Sequence, residues 1–174
     1  MKHILGPNSK STLTNVREGD LQPNAVDLRL DKVFRIDLGD TFELSEDGKK
    51  HRKTTKVEPD EEGYFHLTLG QYEVVMENII SVGENEAGWV ITRSTLNRNG
   101  IFLTSGLYDS SYGIDPKTGE RVGGVMAGCM HCMGPAKIKK GTRIGQYLSF
   151  DAEMLKKYDG SYGNNKEHDK KYLS

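Results

Sequence analysis

Apolar and polar residues alternate in VDLRLDKVFRI (Val26–Ile36), and a period of two marks a strand with one buried face. The same reading predicts strands in YFHLTL (Tyr64–Leu69), at the start of Gly88–Gly113, in VMAGCMHCM and in IKKGTRIGQYLSF (Ile138–Phe150). QYEVVMENIISV (Gln71–Val82) reads as a strand, a turn and then more extended chain. STLNRNG reads as a short helix closed by Gly100, IFLTSGLYDSSYG as strand-like with a hairpin turn, and DAEMLKKY (Asp151–Tyr158) as one helical turn. No segment carries the pattern of a long amphipathic helix. The expected class is mainly β, a compact barrel or jelly-roll-like sheet.

The stretches between these segments are polar. Residues 1–24 are turn-rich, with Pro7 and Pro23 as punctuation. Ser45–Gly63 carries mixed charges and reads as an exposed hairpin or loop, residues 114–122 as an inserted loop, and 159–174 as a flexible tail. A chain of 174 residues suits a single domain, 1–174, able to bury a core without disulfides or a structural metal. Its 24 basic and 25 acidic side chains leave no basic excess for nucleic acid. No stretch approaches the roughly 18 apolar residues of a membrane span, and MKHILGPNSK lacks a signal-peptide core. Two cysteines are too few for a disulfide framework, so a reducing cytoplasm is the expected compartment.

Two segments hold candidate chemistry. RSTLNR places Arg93, Ser94, Thr95 and Arg98 at a helix start, where N–H groups and forked guanidiniums suit phosphate. On spacing alone the commoner reading is a capped surface helix with two solvated arginines. In SGLYDSSYG, Gly106 admits close backbone approach, Asp109 on a turn could act as a general base, and Tyr112 could pack on a sugar. An ordinary Asp-Ser turn with a core tyrosine explains the same residues. CMHC offers only Cys129, His131 and Cys132, one ligand short of a structural zinc site, and reads better as small buried thiols in a strand.

Five segments in order, LQPNAVDLRL, AGWVITRSTLNRNGI, SGLYDSSYG, GTRIGQYLSF and YDGSYGNN, resemble the superfamily of trimeric dUTPases and dCTP deaminases. The resemblance implies a distorted β-barrel of the dUTPase-like type, assembled as a homotrimer with shared sites. It favours the phosphate and sugar readings above. Arg93, Ser94, Thr95 and Arg98 would grip the triphosphate of a deoxynucleoside triphosphate. Gln146 and the tail residues Tyr162 and Asn165 would close over it. The backbone of Gly106 and Leu107 would read the base, and Tyr112 would lie under the deoxyribose. Asp27 would stand near Mg²⁺ and reach it through water, and Asp109 would activate the attacking water. The implied reaction is dUTP to dUMP and pyrophosphate.

Deaminases of the superfamily need a glutamate at a slot that falls here on Gly128, or on Cys129 with a one-residue slip. Glu120 is the nearby carboxylate that could replace it. A dCTP deaminase, a bifunctional enzyme, and a non-catalytic nucleotide-binding member are the alternatives.

Overall fold

The alternation at residues 26–36 folds as an eleven-residue strand in the computed structural model, which describes residues 1–163 and 166–174. Among the described residues the chain order is β1 (Thr12–Leu13), β2 (Val26–Ile36), β3 (Glu43–Ser45), β4 (Gly48–Lys50), β5 (Thr54–Val57), β6 (Tyr64–Leu67), β7 (Gly70–Ser81), β8 (Glu86–Thr92), α1 (Ser94–Asn97), β9 (Ile101–Thr104), β10 (Gly124–Cys132), β11 (Ala136–Lys139), β12 (Arg143–Asp151) and a closing 3-10 helix (Glu167–Tyr172). Antiparallel pairings run β7–β10–β9–β8–β12–β2 and return from β2 to β7. Six strands therefore close into a barrel, which leaves no free edge in that ring.

The barrel core comes from the inward side of these strands. In β7 it is Tyr72, Val74, Met76 and Ile80, every second residue apart from position 78. In β2 it is Leu28, Leu30 and then Val33, an even-to-odd change of phase. A bulge between Leu30 and Lys32 causes that change, because one extra residue moves the following side chains to the other face.

Position 78 corrects the sequence reading of residues 71–82. The segment is one continuous strand with no turn. Asn78 is fully buried, and its side chain holds three backbone groups: its Nδ2 donates to Thr14 O and Asn15 O, and its Oδ1 accepts from Arg29 N–H. A polar residue inside a strand is tolerated when all its groups are paired, and Asn78 uses them to tie the N-terminal segment to the barrel.

Residues 152–158 form no helical turn; they run irregularly, with Leu155 94% exposed. Residues 43–50 are the exposed hairpin β3–β4, while β5 joins the barrel sheet beside β2. The chain end differs most from expectation. Its 3-10 helix lies on the outer face of β2 and β7, where Tyr172 is buried with Phe34 and Val75. Alternation in β7 assigns Val75 to solvent, and the β2 bulge turns Phe34 outward as well; the tail is what covers them.

Candidate functional site

A cluster around Asp27 gathers part of the expected phosphate site. β8 delivers Arg93, whose extended backbone starts α1, and Gly100, at φ +70°, lets the chain turn back into β9. Arg93 Nε lies 3.3 Å from Asp27 Oδ2, and its Nη1 donates to Arg143 O at 3.2 Å. Asp27 and Gln146 are direct partners in the β2–β12 ladder, so their side chains meet, with Gln146 Nε2 donating to Asp27 Oδ1 at 3.0 Å. Gln22 Nε2 and Arg143 Nη1 also donate to Asp27 Oδ2, at 3.2 and 3.3 Å. Ser94, Thr95 and Arg98 of the same motif are exposed beside this cluster.

Arg143 was not among the expected site residues. Alternation along β12 would put Arg143 and Gln146 on opposite faces. A bulge between Arg143 and Gly145 inserts one residue and brings both to Asp27. No local sequence signal marks that bulge.

Asp27 is fully buried and both its oxygens are engaged by amide or guanidinium donors. Among the described residues there is no group of three or more His, Cys, Asp or Glu able to cage a cation. Mg²⁺ commonly binds through one or two carboxylates together with substrate phosphates and water. The donor set here does not form a protein cage, and is compatible with an ion held chiefly by substrate phosphates and water.

The second region is a cavity of about 420 Å³ on the outside of the barrel. Gly106, Leu107 and Tyr112, the residues the resemblance assigns to base and sugar, all line it. Residues 105–113 are irregular rather than a hairpin of strands, tied down by a single bridge between Gly88 and Tyr108 and by Ser110 Oγ donating to Glu86 O. Tyr112 is fixed: its hydroxyl donates to Val125 O at 2.7 Å, and its ring meets Tyr108 and Tyr158 edge-on, with centroids 5.3 Å apart in each case. Burial pushes the Tyr112 hydroxyl well above the ordinary tyrosine range, so the ring stays neutral.

Asp109 is exposed on the turn and does not line the cavity. Its chain neighbours Leu107 and Tyr108 line the cavity, which sets Asp109 at the rim. Arg93, Ser94, Thr95, Arg98 and Gln146 do not line the cavity either. Tyr162 does, with its ring edge-on to His168, and it makes no contact with Gln146 among the described residues. Asn165 lies outside the described residues.

The candidate deaminase positions separate cleanly. A side chain at Gly128 would start 2.5 Å from Thr104 O, so no carboxylate fits there. Cys129 lines the cavity, and burial pushes its thiol up, away from thiolate. Cys132 is buried and its thiol donates to Gly134 O. Glu120 is exposed in the 114–122 loop, away from the cavity wall. Two carboxylates that the sequence reading missed do line the cavity, Glu73 and Asp169. Glu73 sits directly opposite Cys129 in the β7–β10 ladder, and Asp169 arrives with the C-terminal helix.

Comparison with known proteins agrees with this architecture. A family model described as dCTP deaminase-like matches residues 5–151. The probable deoxyuridine 5'-triphosphate nucleotidohydrolase of Methanopyrus kandleri is 31% identical over 147 residues, covering 84% of this chain and 89% of the relative. The deoxyuridine 5'-triphosphate nucleotidohydrolase of Methanocaldococcus jannaschii is 28% identical over 162 residues, covering 91% and 97%. The crystal structure of 2'-deoxycytidine 5'-triphosphate deaminase from Agrobacterium tumefaciens superposes with a TM-score of 0.53 at 13% identity, covering 80% of this chain. This chain spans only 43% of that one, and the likeness bears on the fold alone. With the barrel found as the sequence resemblance implied and the family match running through almost all of it, the chain belongs to the dCTP deaminase-like family.

Proposed function

We propose that the protein hydrolyses dUTP to dUMP and pyrophosphate. The observation that carries this reading is the cavity in which Gly106, Leu107 and the fixed Tyr112 ring come together while Gly128 leaves no room for a proton-shuttling acid. The relatives named as deoxyuridine triphosphate nucleotidohydrolases support it. The Gly106 and Leu107 backbone reads the base edge, and Tyr112 packs under a sugar without a 2'-hydroxyl. Arg93, Ser94, Thr95 and Arg98 neutralise the triphosphate, with Arg93 and Gln146 oriented by Asp27. Asp109 at the rim takes a proton from the water that attacks the α-phosphorus. When bound, Mg²⁺ would neutralise phosphate oxygens and stabilise the departing pyrophosphate, held by the substrate and, through water, by Asp27.

The same reading includes a homotrimer with shared sites. In one chain the phosphate cluster and the nucleoside cavity do not share a wall, so a neighbouring copy completes each site. Exposed Trp89, Ile91 and Phe102 on β8 and β9 supply an apolar face for that copy. Among the described residues no helix is long and apolar enough to cross a membrane. A cytoplasmic deoxynucleotide pool is the matching setting.

Dual deamination of dCTP is the second reading, and the cavity carboxylate Asp169 favours it. One experiment tests both: incubation with each deoxynucleoside triphosphate and Mg²⁺, with products separated by ion exchange. Conversion of dUTP to dUMP is expected. Fast ammonia release from dCTP would replace the hydrolase-only reading, and binding without turnover would leave a non-catalytic nucleotide binder.

A further inference from the structure

The nucleoside cavity is built from two sources. One is the barrel. The other is the last part of the chain, which contributes Tyr158, Tyr162, His168, Asp169, Lys171 and Tyr172 to the lining. What holds that second wall is concentrated on one side chain. Glu73, on the outer face of β7, accepts from Lys171 Nζ at 2.5 Å and from the Tyr172 hydroxyl, and His168 Nε2 lies 3.6 Å from its Oε1. Three residues within the five positions 168–172 thus converge on a single carboxylate that is 18% exposed. Beside it Lys32 Nζ donates to the Tyr172 and Ser174 carbonyls, and Tyr172 packs on Phe34 with ring centroids 6.0 Å apart.

The contact chain continues into the cavity. The same helix carries Asp169, 3% exposed, which accepts from Gly163 N–H at 2.5 Å. Gly163, at φ +76°, lies so close to Tyr112 that a Cβ there would stand 2.7 Å from the ring. From Glu73 through the helix and Asp169 to Gly163, each link is a named contact, and the last one touches the tyrosine assigned to the sugar.

We propose that Glu73 is a positioning residue: it seats the C-terminal helix as a wall of the nucleoside cavity, so that substrate affinity depends on this carboxylate through the helix it holds. The proposal rests on the dUTPase reading for its substrate, but not for the seating itself. Glu73→Gln removes the charge and one of the two acceptor oxygens that Lys171 and the Tyr172 hydroxyl use in a half-buried setting, which shifts the helix towards release. A released wall weakens ground-state and transition-state binding alike. Such a loss raises KM and leaves kcat nearly unchanged.

The test compares wild type, Glu73→Gln and Lys171→Met in the full-length protein. Amide hydrogen exchange without nucleotide reads the helix directly. Residues 166–174 should be protected in wild type and exchange at least tenfold faster in both variants, while β2, β7 and β10 keep their protection. KM for dUTP should rise at least fivefold with kcat within twofold, and the charge-reversed pair Glu73→Lys with Lys171→Glu should recover much of the protection. Rapid exchange of the helix in wild type would overturn the seating. Loss of protection with an unchanged KM would overturn its link to the cavity. If no nucleotide is hydrolysed at all, the dUTPase reading falls, and the exchange comparison still decides whether Glu73 seats the helix.

Discussion

Asp27 and Glu73 are carboxylates on neighbouring barrel strands, and each collects donors from several residues. They differ in where the donors come from. Those of Asp27 belong to Gln22, Arg93, Arg143 and Gln146, and three of these four are set by the ends and ladders of β8 and β12. Those of Glu73 all belong to one short terminal helix. The first network can come apart only if the barrel does. The second can be lost as a unit by local opening, at a far smaller free-energy cost. The region assigned to phosphate is therefore preassembled, whereas the region assigned to the nucleoside has one wall able to leave.

The largest effect that could break this contrast is at Asp27. Asp27→Ala should destabilise the protein by about 3 kcal/mol, the lower end for removing one member of a buried ionic group, because Arg93 and Arg143 can partly rehydrate. Urea denaturation measures it. A loss below ~1 kcal/mol would show that the cluster is not part of the barrel's cooperative unit.

Asp109 belongs to neither network, which makes it the cleanest probe of chemistry. Asp109→Asn keeps shape and hydrogen bonding but removes the base. Pyrophosphate release should fall about 10²-fold or more, with nucleotide binding retained through Arg93, Ser94, Thr95 and Arg98. Unchanged turnover would remove Asp109 from the mechanism.

The fixed Tyr112 ring predicts sugar discrimination. dUTP should exceed UTP by more than tenfold in kcat/KM, above ~1.4 kcal/mol. Equal rates would place the sugar elsewhere in the cavity.

The smallest effect concerns pH and the movable wall. Burial, then the Lys171 charge, depresses the His168 pKa, so His168 favours the seated helix above its unfolded pKa near 6.5 and opposes it as pH falls and it protonates. Around it stand Glu73 from β7, His51 from the segment before β5, and Lys171, Asp169 and Tyr172 from its own helix. Burial raises the Asp169 pKa, and this works in the opposite sense, strengthening the seated state as pH falls through the carboxylate range. Between pH 7 and 5.5 His168 should dominate, and exchange in residues 166–174 should accelerate by a few-fold beyond the intrinsic pH correction, with none in the barrel. A slowing over that range would show that Asp169 governs instead.

Part of the candidate site is legible because it is local. RSTLNR and SGLYDSSYG keep their candidate residues within a few positions, so the short helix and the turn can be read without knowing the fold, although only the family resemblance gives those residues a role. Asp27 and Gln146 were found separately and met only through the β2–β12 register. Arg143 was illegible because a bulge, and no residue type, turns it towards Asp27. Glu73 carries no signal of its own in the strand pattern, and the tail that gives it meaning is polar apart from Tyr158, Tyr162, Tyr172 and Leu173. Its docking depends on Phe34 and Val75, two residues far away in the chain whose outward direction only the closed barrel reveals.

The bulge in β12 makes strand register, as much as residue identity, a determinant of the charge beside Asp27. Arg143 and Gln146 stand three positions apart, an odd spacing that a regular strand turns to opposite faces. A β12 that kept all its residues but paired with β2 without the bulge would send the Arg143 side chain into the barrel interior and leave Asp27 with one guanidinium instead of two. Relatives compared by their motifs alone would look equivalent across such a change of register, yet their clusters at Asp27 would differ by a full positive charge.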